Sequence, residues 1–182
     1  MLDSYPKNLL HATTAQEVHA FILERLPSYW TAQGIAPETI QAAMVAQTEF
    51  LDDLDARVQA LHQTKDQLSA LLGGAKRVTH LLKAMDAQIA STPIQETLIE
   101  HECERELIHA IHETQRRMKP LVQSQSYVEV LLMLSQLRPL IDTFFENVMI
   151  MCDDLKLRHQ RLAMLAQLAA VLNAVGDLAM LL

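Results

Sequence analysis

Four glycines and six prolines leave this chain of 182 residues short of the turn-forming material that a β protein uses at every hairpin. Aromatic residues are scarce too, at 4%, and strands draw on aromatic and β-branched side chains. Half of the sequence is instead apolar, mostly Leu, Ala, Ile and Val with nine Met. Leu, Ala and Met are strong helix formers. This composition implies an all-α helical bundle, and the length suffices for one domain with a real core.

Two further shortages narrow the function. Cys103 and Cys152 are the only cysteines, both in helical apolar contexts, so no disulfide framework is present and a reducing, cytoplasmic setting fits. Lys and Arg total 15 against 22 Asp and Glu, a formal charge of −7. Surplus acid repels a phosphate backbone, which argues against a DNA or RNA coat and leaves room only for a local basic patch. Met1-Leu2-Asp3-Ser4-Tyr5 lacks a basic region and a long apolar run, so no signal peptide is expected. Leu162 to Leu182 is long and apolar enough to test as a membrane span. Gln167, Asn173 and Asp177 interrupt it, and a central charge costs about 2.5–3.5 kcal/mol on insertion. A helix packed on most of its surface within a bundle is the better reading, with no membrane partner.

The residues that are present read as a succession of helices. Thr14 with Glu17 is a capping-box signal before Val18, Phe21, Ile22 and Leu26. Pro27 should kink or end that helix, and Gly34 should stop any continuation beyond it. Pro37 opens a short helix carrying Ile40 and Met44. Leu51, Leu54, Val58 and Leu61 form a stripe that Gly73-Gly74 is expected to break. Val78, Leu81, Leu82, Met85 and Ile89 mark the next helix, and Ser91-Thr92-Pro93 a turn.

A long helix then presents Ile99, Cys103, Leu107, Ala110, Ile111, Thr114 and Met118 on one face. Ser126 with Glu129 is a second capping box. Pro139 starts a helix with Ile141, Phe144, Phe145, Val148 and Met149 inward. Asp153-Asp154 caps a last helix running to the chain end. One domain over 1–182 is the economical reading, with 1–90 and 91–182 as candidate sub-lobes.

Catalytic chemistry is hard to find. Glu106 and His109 make the Glu-x-x-His pair that di-iron bundles use, but such a site needs a second copy and further inward carboxylates. Neither is present, and Glu102, Glu106, His109, Glu113 and Arg117 fall opposite the apolar stripe, as a solvated face would. No phosphate loop, nucleophile elbow or zinc spacing occurs. No catalytic residue, metal site or cofactor of the chain's own is expected.

The cations are more informative. Lys76 and Arg77 fall in the first turn expected after Gly73-Gly74, where the macrodipole disfavours cations unless an anion is to be held. Lys156, Arg158 and Arg161 repeat the pattern at the start of the last helix. Phosphate binding is one reading; solubilised helix ends, or pairing with Asp153 and Asp154, is the other. Arg116, Arg117 and Lys119 lie late in a helix, where the dipole alone accounts for them.

The run Leu137-Arg138-Pro139-Leu140-Ile141-Asp142-Thr143-Phe144-Phe145-Glu146-Asn147-Val148-Met149-Ile150-Met151-Cys152-Asp153-Asp154 resembles a signature near the end of bacterial glycyl-tRNA synthetase beta subunits. There the pattern is Leu-Arg-x-Pro-Val-Asp-x-Phe-Phe-Asp-x-Val-Met-Val-Met and an acidic pair. Leu157-Arg158-His159-Gln160-Arg161-Leu162 resembles the family's continuation. Asp55-Ala56-Arg57-Val58 and Lys76-Arg77-Val78 stand upstream in the same order, so the similarity spans Val18 to Leu182.

The resemblance implies an all-α, DALR-type anticodon-binding domain that grips the anticodon stem-loop of glycine tRNA. The last two anticodon bases would be cytosines. Reading unstacked loop bases takes hydrogen bonds to their edges and cations for the phosphates. Arg57, Lys76, Arg77, Arg158 and Arg161 match basic family positions and are the expected RNA face, with His80 beside them. Glycine activation, with ATP and magnesium, would belong to a separate alpha subunit. The sequence departs from the pattern at Ala75, His80 and Gln160, where the family has asparagines, and at Gln47-Thr48-Glu49-Phe50, which replace an Arg-rich stretch. Those departures support a second reading, a diverged relative that serves as a structural or protein-interaction domain.

Overall fold

The computed structural model describes residues 14–46, 48, 50–83, 89 and 92–182. Met1 to Tyr5, Gln47, Glu49, Met85 and Ser91 lie outside these. Among the described residues the chain forms seven α-helices, two 3₁₀ turns and no strand. In order they are α1 (Thr14–Ala32), α2 (Pro37–Met44), α3 (Leu51–Leu82), a 3₁₀ turn (Glu96–Leu98), α4 (Glu102–Gln123), α5 (Tyr127–Ser135), α6 (Arg138–Asn147), α7 (Leu155–Leu172) and a closing 3₁₀ turn (Leu178–Leu181).

The central element is α3, 32 residues long and so about 48 Å from end to end. It packs against α2, α5, α6, α7 and the closing turn. The break expected at Gly73-Gly74 does not occur. Leu68, Leu71, Leu72, Ala75 and Val78 carry the buried stripe straight through it. Each interior glycine costs about 1 kcal/mol, whereas burying one Leu contributes about 1.5–3 kcal/mol. Packing wins. Gly74 has a steric reason to be glycine, because a Cβ there would stand 3.1 Å from Ile141 Cγ2 on α6. Gly73 has none, since a Cβ there would meet nothing within 4 Å.

Several local expectations are revised for similar reasons. Helix α1 runs through Pro27 to Ala32, its last turn held by the fully buried Trp30, whose indole donates 2.7 Å to Asp55. Its inner side is formed by Leu23 and Leu26, while Val18 and Phe21 remain exposed. Gly34, at φ +86°, ends the turn after α1 as expected. Pro37 sits in the first turn of α2. Ser126 precedes α5 but makes no cap bond; its hydroxyl lies 3.0 Å from Ser124 Oγ, and the buried Tyr127 anchors the helix start instead.

Helix α7 stops at Leu172 rather than at the chain end. The carbonyls of Ala174 and Val175 accept from Arg57, at 2.8 and 3.0 Å, and Asp177 N donates to Ala42 O at 2.9 Å. Tertiary partners thus satisfy the backbone groups that the helix gives up. Leu178 and Leu181 then bury against the core, which is one cluster running from Trp30 to Leu181. No helix among the described residues is long and apolar enough to cross a membrane.

Candidate nucleic-acid interface

The six cations and histidines expected on an RNA face divide into two groups. Lys76, Arg77 and His80 lie within little more than one turn of α3 and are all exposed. They occupy the interior of a long helix, so the anion site expected from a helix N-terminus is not there. Lys76 and His80 make no side-chain hydrogen bond or ion pair among the described residues. Arg77 sits over Phe145 of α6, its guanidinium carbon 4.2 Å from the ring centroid. That contact restrains a flexible side chain and presents its planar, charged end beside the ring.

Two grooves flank this pair. One, of about 470 Å³, runs between Arg77 and Leu81 on α3 and the segment from Phe145 to Met151. The chain leaves α6 extended at Val148, and alternation then applies. Val148 and Ile150 turn inward, while Met149 and Met151 are 74% and 55% exposed. The inward placement expected of Met149 is thereby corrected: it rested on continuing the helix past Asn147. The other groove, of about 270 Å³, has Ala70, Gly73 and Gly74 along one side and Arg77, Arg138, Asp142, Phe145 and Glu146 around the rest. Arg138 pairs with Asp142 at 3.2 Å.

Arg57, Arg158 and Arg161 point elsewhere. Arg161 is only 3% exposed and bonds through every nitrogen. Nε reaches Glu104 at 3.0 Å, Nη2 reaches Glu100 at 2.7 Å, and Nη1 reaches the Met149 carbonyl at 3.2 Å. Arg158 donates from Nε to the Cys152 carbonyl at 2.8 Å. Both therefore help hold the Met149–Cys152 loop in place, and Arg161 has no nitrogen left for a ligand. The amides of Lys156 and Leu157 are taken by Asp154, which caps α7 as expected and leaves no anion site there.

Arg57 bonds Asp53 at 2.8 Å and the two carbonyls beyond α7, and stacks 4.4 Å from the Tyr127 ring. The Tyr127 hydroxyl donates to Asp53. Burial alone would raise the Asp53 carboxyl, but the bonds from Tyr127 and Arg57 outweigh it and hold the pKa below its ordinary value. Burial, then the bond to Asp53, pushes Tyr127 up from 10.0 to about 12. This stabilisation is whole below pH 10 and is lost as the pH rises towards 12. About 2–3 kcal/mol of stability should disappear across that window. Urea midpoints at pH 9 to 12 check it: the wild-type curve should fall more steeply than that of Tyr127→Phe, and parallel curves would disprove the assignment.

The departures from the family asparagines also separate. Ala75 is buried at 3% and cannot face a ligand. Gln160 is buried too, its amide accepting from Gln95 N at 2.9 Å and donating to Gln95 O at 3.1 Å. Of the three, His80 alone is on the exposed face. Glu106 and His109 are exposed on α4, and no group of three or more metal-ligating side chains occurs among the described residues.

Sequence reasoning passes over Glu146, Arg138 and the exposed pair Met149 and Met151. The available signal is the period-2 pattern after Asn147.

Among the described residues the domain is a strand-free, all-α bundle that carries exposed cations, one of them beside an aromatic ring. The chain belongs to the DALR anticodon binding domain family, whose model matches residues 71–179. It is 31% identical over 181 residues to the glycine–tRNA ligase beta subunit of Shewanella pealeana. Identity is 35% over 182 residues to that of Neisseria meningitidis and 33% over 183 to that of Alteromonas mediterranea. These alignments cover 98–99% of this chain and 26% of each relative, so the chain spans about a quarter of their length.

Proposed function

We propose that the chain binds the anticodon stem-loop of glycine tRNA through the face formed by Lys76, Arg77 and His80 and the two grooves beside them. The observation that carries this reading is the Arg77 guanidinium fixed over Phe145 between two grooves, with Lys76 and His80 exposed on the same side of α3. Cations at the rim meet phosphates, and a guanidinium plane with apolar Met149 and Met151 opposite suits unstacked bases. Such a domain works in the cytoplasm as part of a glycine–tRNA ligase beta subunit. Glycine activation, ATP and magnesium belong to an alpha subunit that it accompanies.

Arg57, Arg158 and Arg161 act as positioning residues in this reading. Arg158 and Arg161 hold the loop that forms one wall of the larger groove, and Arg57 closes the bundle far from it.

The test is binding of a glycine anticodon stem-loop over a salt series, against a hairpin with both anticodon cytosines replaced. Lys76→Ala with Arg77→Ala should lower affinity by roughly tenfold or more per residue. The slope of log affinity against log salt should fall by about 0.7–1 per cation. Equal, feeble, salt-independent binding to both hairpins would favour the second reading, a structural or protein-interaction domain. The net charge of −7 and the Asp142 and Glu146 carboxylates beside the grooves support that alternative.

A further inference from the structure

Packing does not explain Gly73 on α3. A residue in the middle of a 32-residue helix loses stability by being glycine. Gly74 next to it is in tight approach to Ile141, but Gly73 faces open space. Gly73 also lines the 270 Å³ groove, closed at one side by Arg77 on Phe145 and at another by the Arg138–Asp142 pair. A long side chain at position 73 has room to lie across it.

The polar groups around the groove do not suit a bare phosphate. Asp142 and Glu146 would repel one, and Glu146 has no hydrogen-bond or ion-pair partner among the described residues. An unpaired carboxylate accepts hydrogen bonds only, so its match is an N–H donor. The Arg77 guanidinium supplies a flat cationic surface and further donors. A planar heterocycle that carries an exocyclic amine satisfies both groups together.

Resting on the RNA-binding reading above, we propose that the groove beside Gly73 takes one unstacked nucleobase with an exocyclic amine. The base stacks against the Arg77–Phe145 platform and its amine donates to Glu146. Gly73 keeps the groove open at the expense of helix stability. Glu146 selects cytosine over uridine, because uridine carries a carbonyl oxygen where cytosine has the amine.

The full chain is titrated with a glycine anticodon stem-loop and with hairpins in which each of the last two anticodon cytosines is changed singly to uridine. Wild type should prefer cytosine by about 10-fold or more at one of the two positions, the range of a charge-assisted hydrogen bond. Glu146→Gln should reduce that preference to within about threefold, since an amide also donates to the uridine carbonyl. Gly73→Leu should lose about 10-fold in affinity yet gain about 2–4 °C in Tm, with an unchanged salt slope.

A Gly73→Leu protein that binds like wild type, or a cytosine preference untouched by Glu146→Gln, overturns the proposal. Salt-dependent binding with no cytosine preference at either position overturns it while leaving RNA binding intact. Absence of any hairpin binding by wild type overturns the RNA reading itself.

Discussion

Replacing Arg161 with alanine is expected to cost about 3–5 kcal/mol of stability, a large share of the margin available to a domain of this size. Arg161 is 3% exposed and Glu104 is fully buried, so their 3.0 Å ion pair is out of reach of water. Among the described residues, removing the cation leaves the Glu104 carboxylate supported only by the backbone N–H groups of Glu100 and His101, at 3.0 and 2.9 Å. A buried, unpaired charge is far more costly than a missing contact. The second pair, to the half-exposed Glu100, should add little because solvent screens it.

The comparison that isolates the charge is Arg161→Met combined with Glu104→Gln. It removes both charges while the introduced side-chain amide oxygen still accepts from the backbone, and it should recover about 2 kcal/mol or more of the loss. Urea unfolding of the two variants decides the point. A single variant that loses less than about 1 kcal/mol would mean the pair stabilises no more than a surface one.

Gly176→Ala should destabilise by about 3 kcal/mol, at the upper end for an overpacked site. The added Cβ would lie 2.6 Å from the Ala42 carbonyl oxygen and 3.0 Å from its carbon, both backbone atoms of α2 that cannot turn aside. Leu61 Cδ1, also at 3.0 Å, blocks the remaining direction. The segment would have to retreat, weakening the Asp177 N to Ala42 O bond and the Arg57 bonds just before it. Gly73→Ala has the opposite sign, a gain of up to about 1 kcal/mol, because nothing surrounds that position. Thermal unfolding of the pair tests both signs, and a Gly176→Ala protein as stable as wild type would show that α2 and the chain end can separate freely.

The all-α class, the cap at Asp154 and the start of α2 at Pro37 are legible from composition and local rules. The orientation of the cations is not, and the break expected at Gly73-Gly74 accounts for most of the difference. Arg57 and Arg77 stand twenty residues apart, which on an uninterrupted helix amounts to about 200° beyond whole turns. They must point in nearly opposite directions, and they do: Arg57 towards the carbonyls beyond α7, Arg77 over Phe145. A stop at Gly73-Gly74 discards that phase relation. Arg161 is a different case. It lies in a helix buried on nearly every side, as the run Leu162-Ala163-Met164-Leu165 after it already suggests. Whether an arginine there faces water or a carboxylate depends on Glu104, 57 residues away, and no local pattern encodes that.

Gln160 clasps both polar groups of Gln95's backbone, and its neighbour Arg161 takes Glu100 and Glu104. Together with the Ala42–Asp177 bond, these ties mean that residues 92–104 and α2 draw part of their fixing partners from the last quarter of the chain, although α2 is also tied to α3 through the Glu38–Lys65 pair at 2.9 Å. During synthesis α5 and α6 can already cover much of α3 and α4, but the segment between those two helices is clamped only once Gln160 and Arg161 have emerged. A ribosome stalled before residue 160 would carry a chain whose residues 92–104 still lack those ties, open to chaperones at that one place.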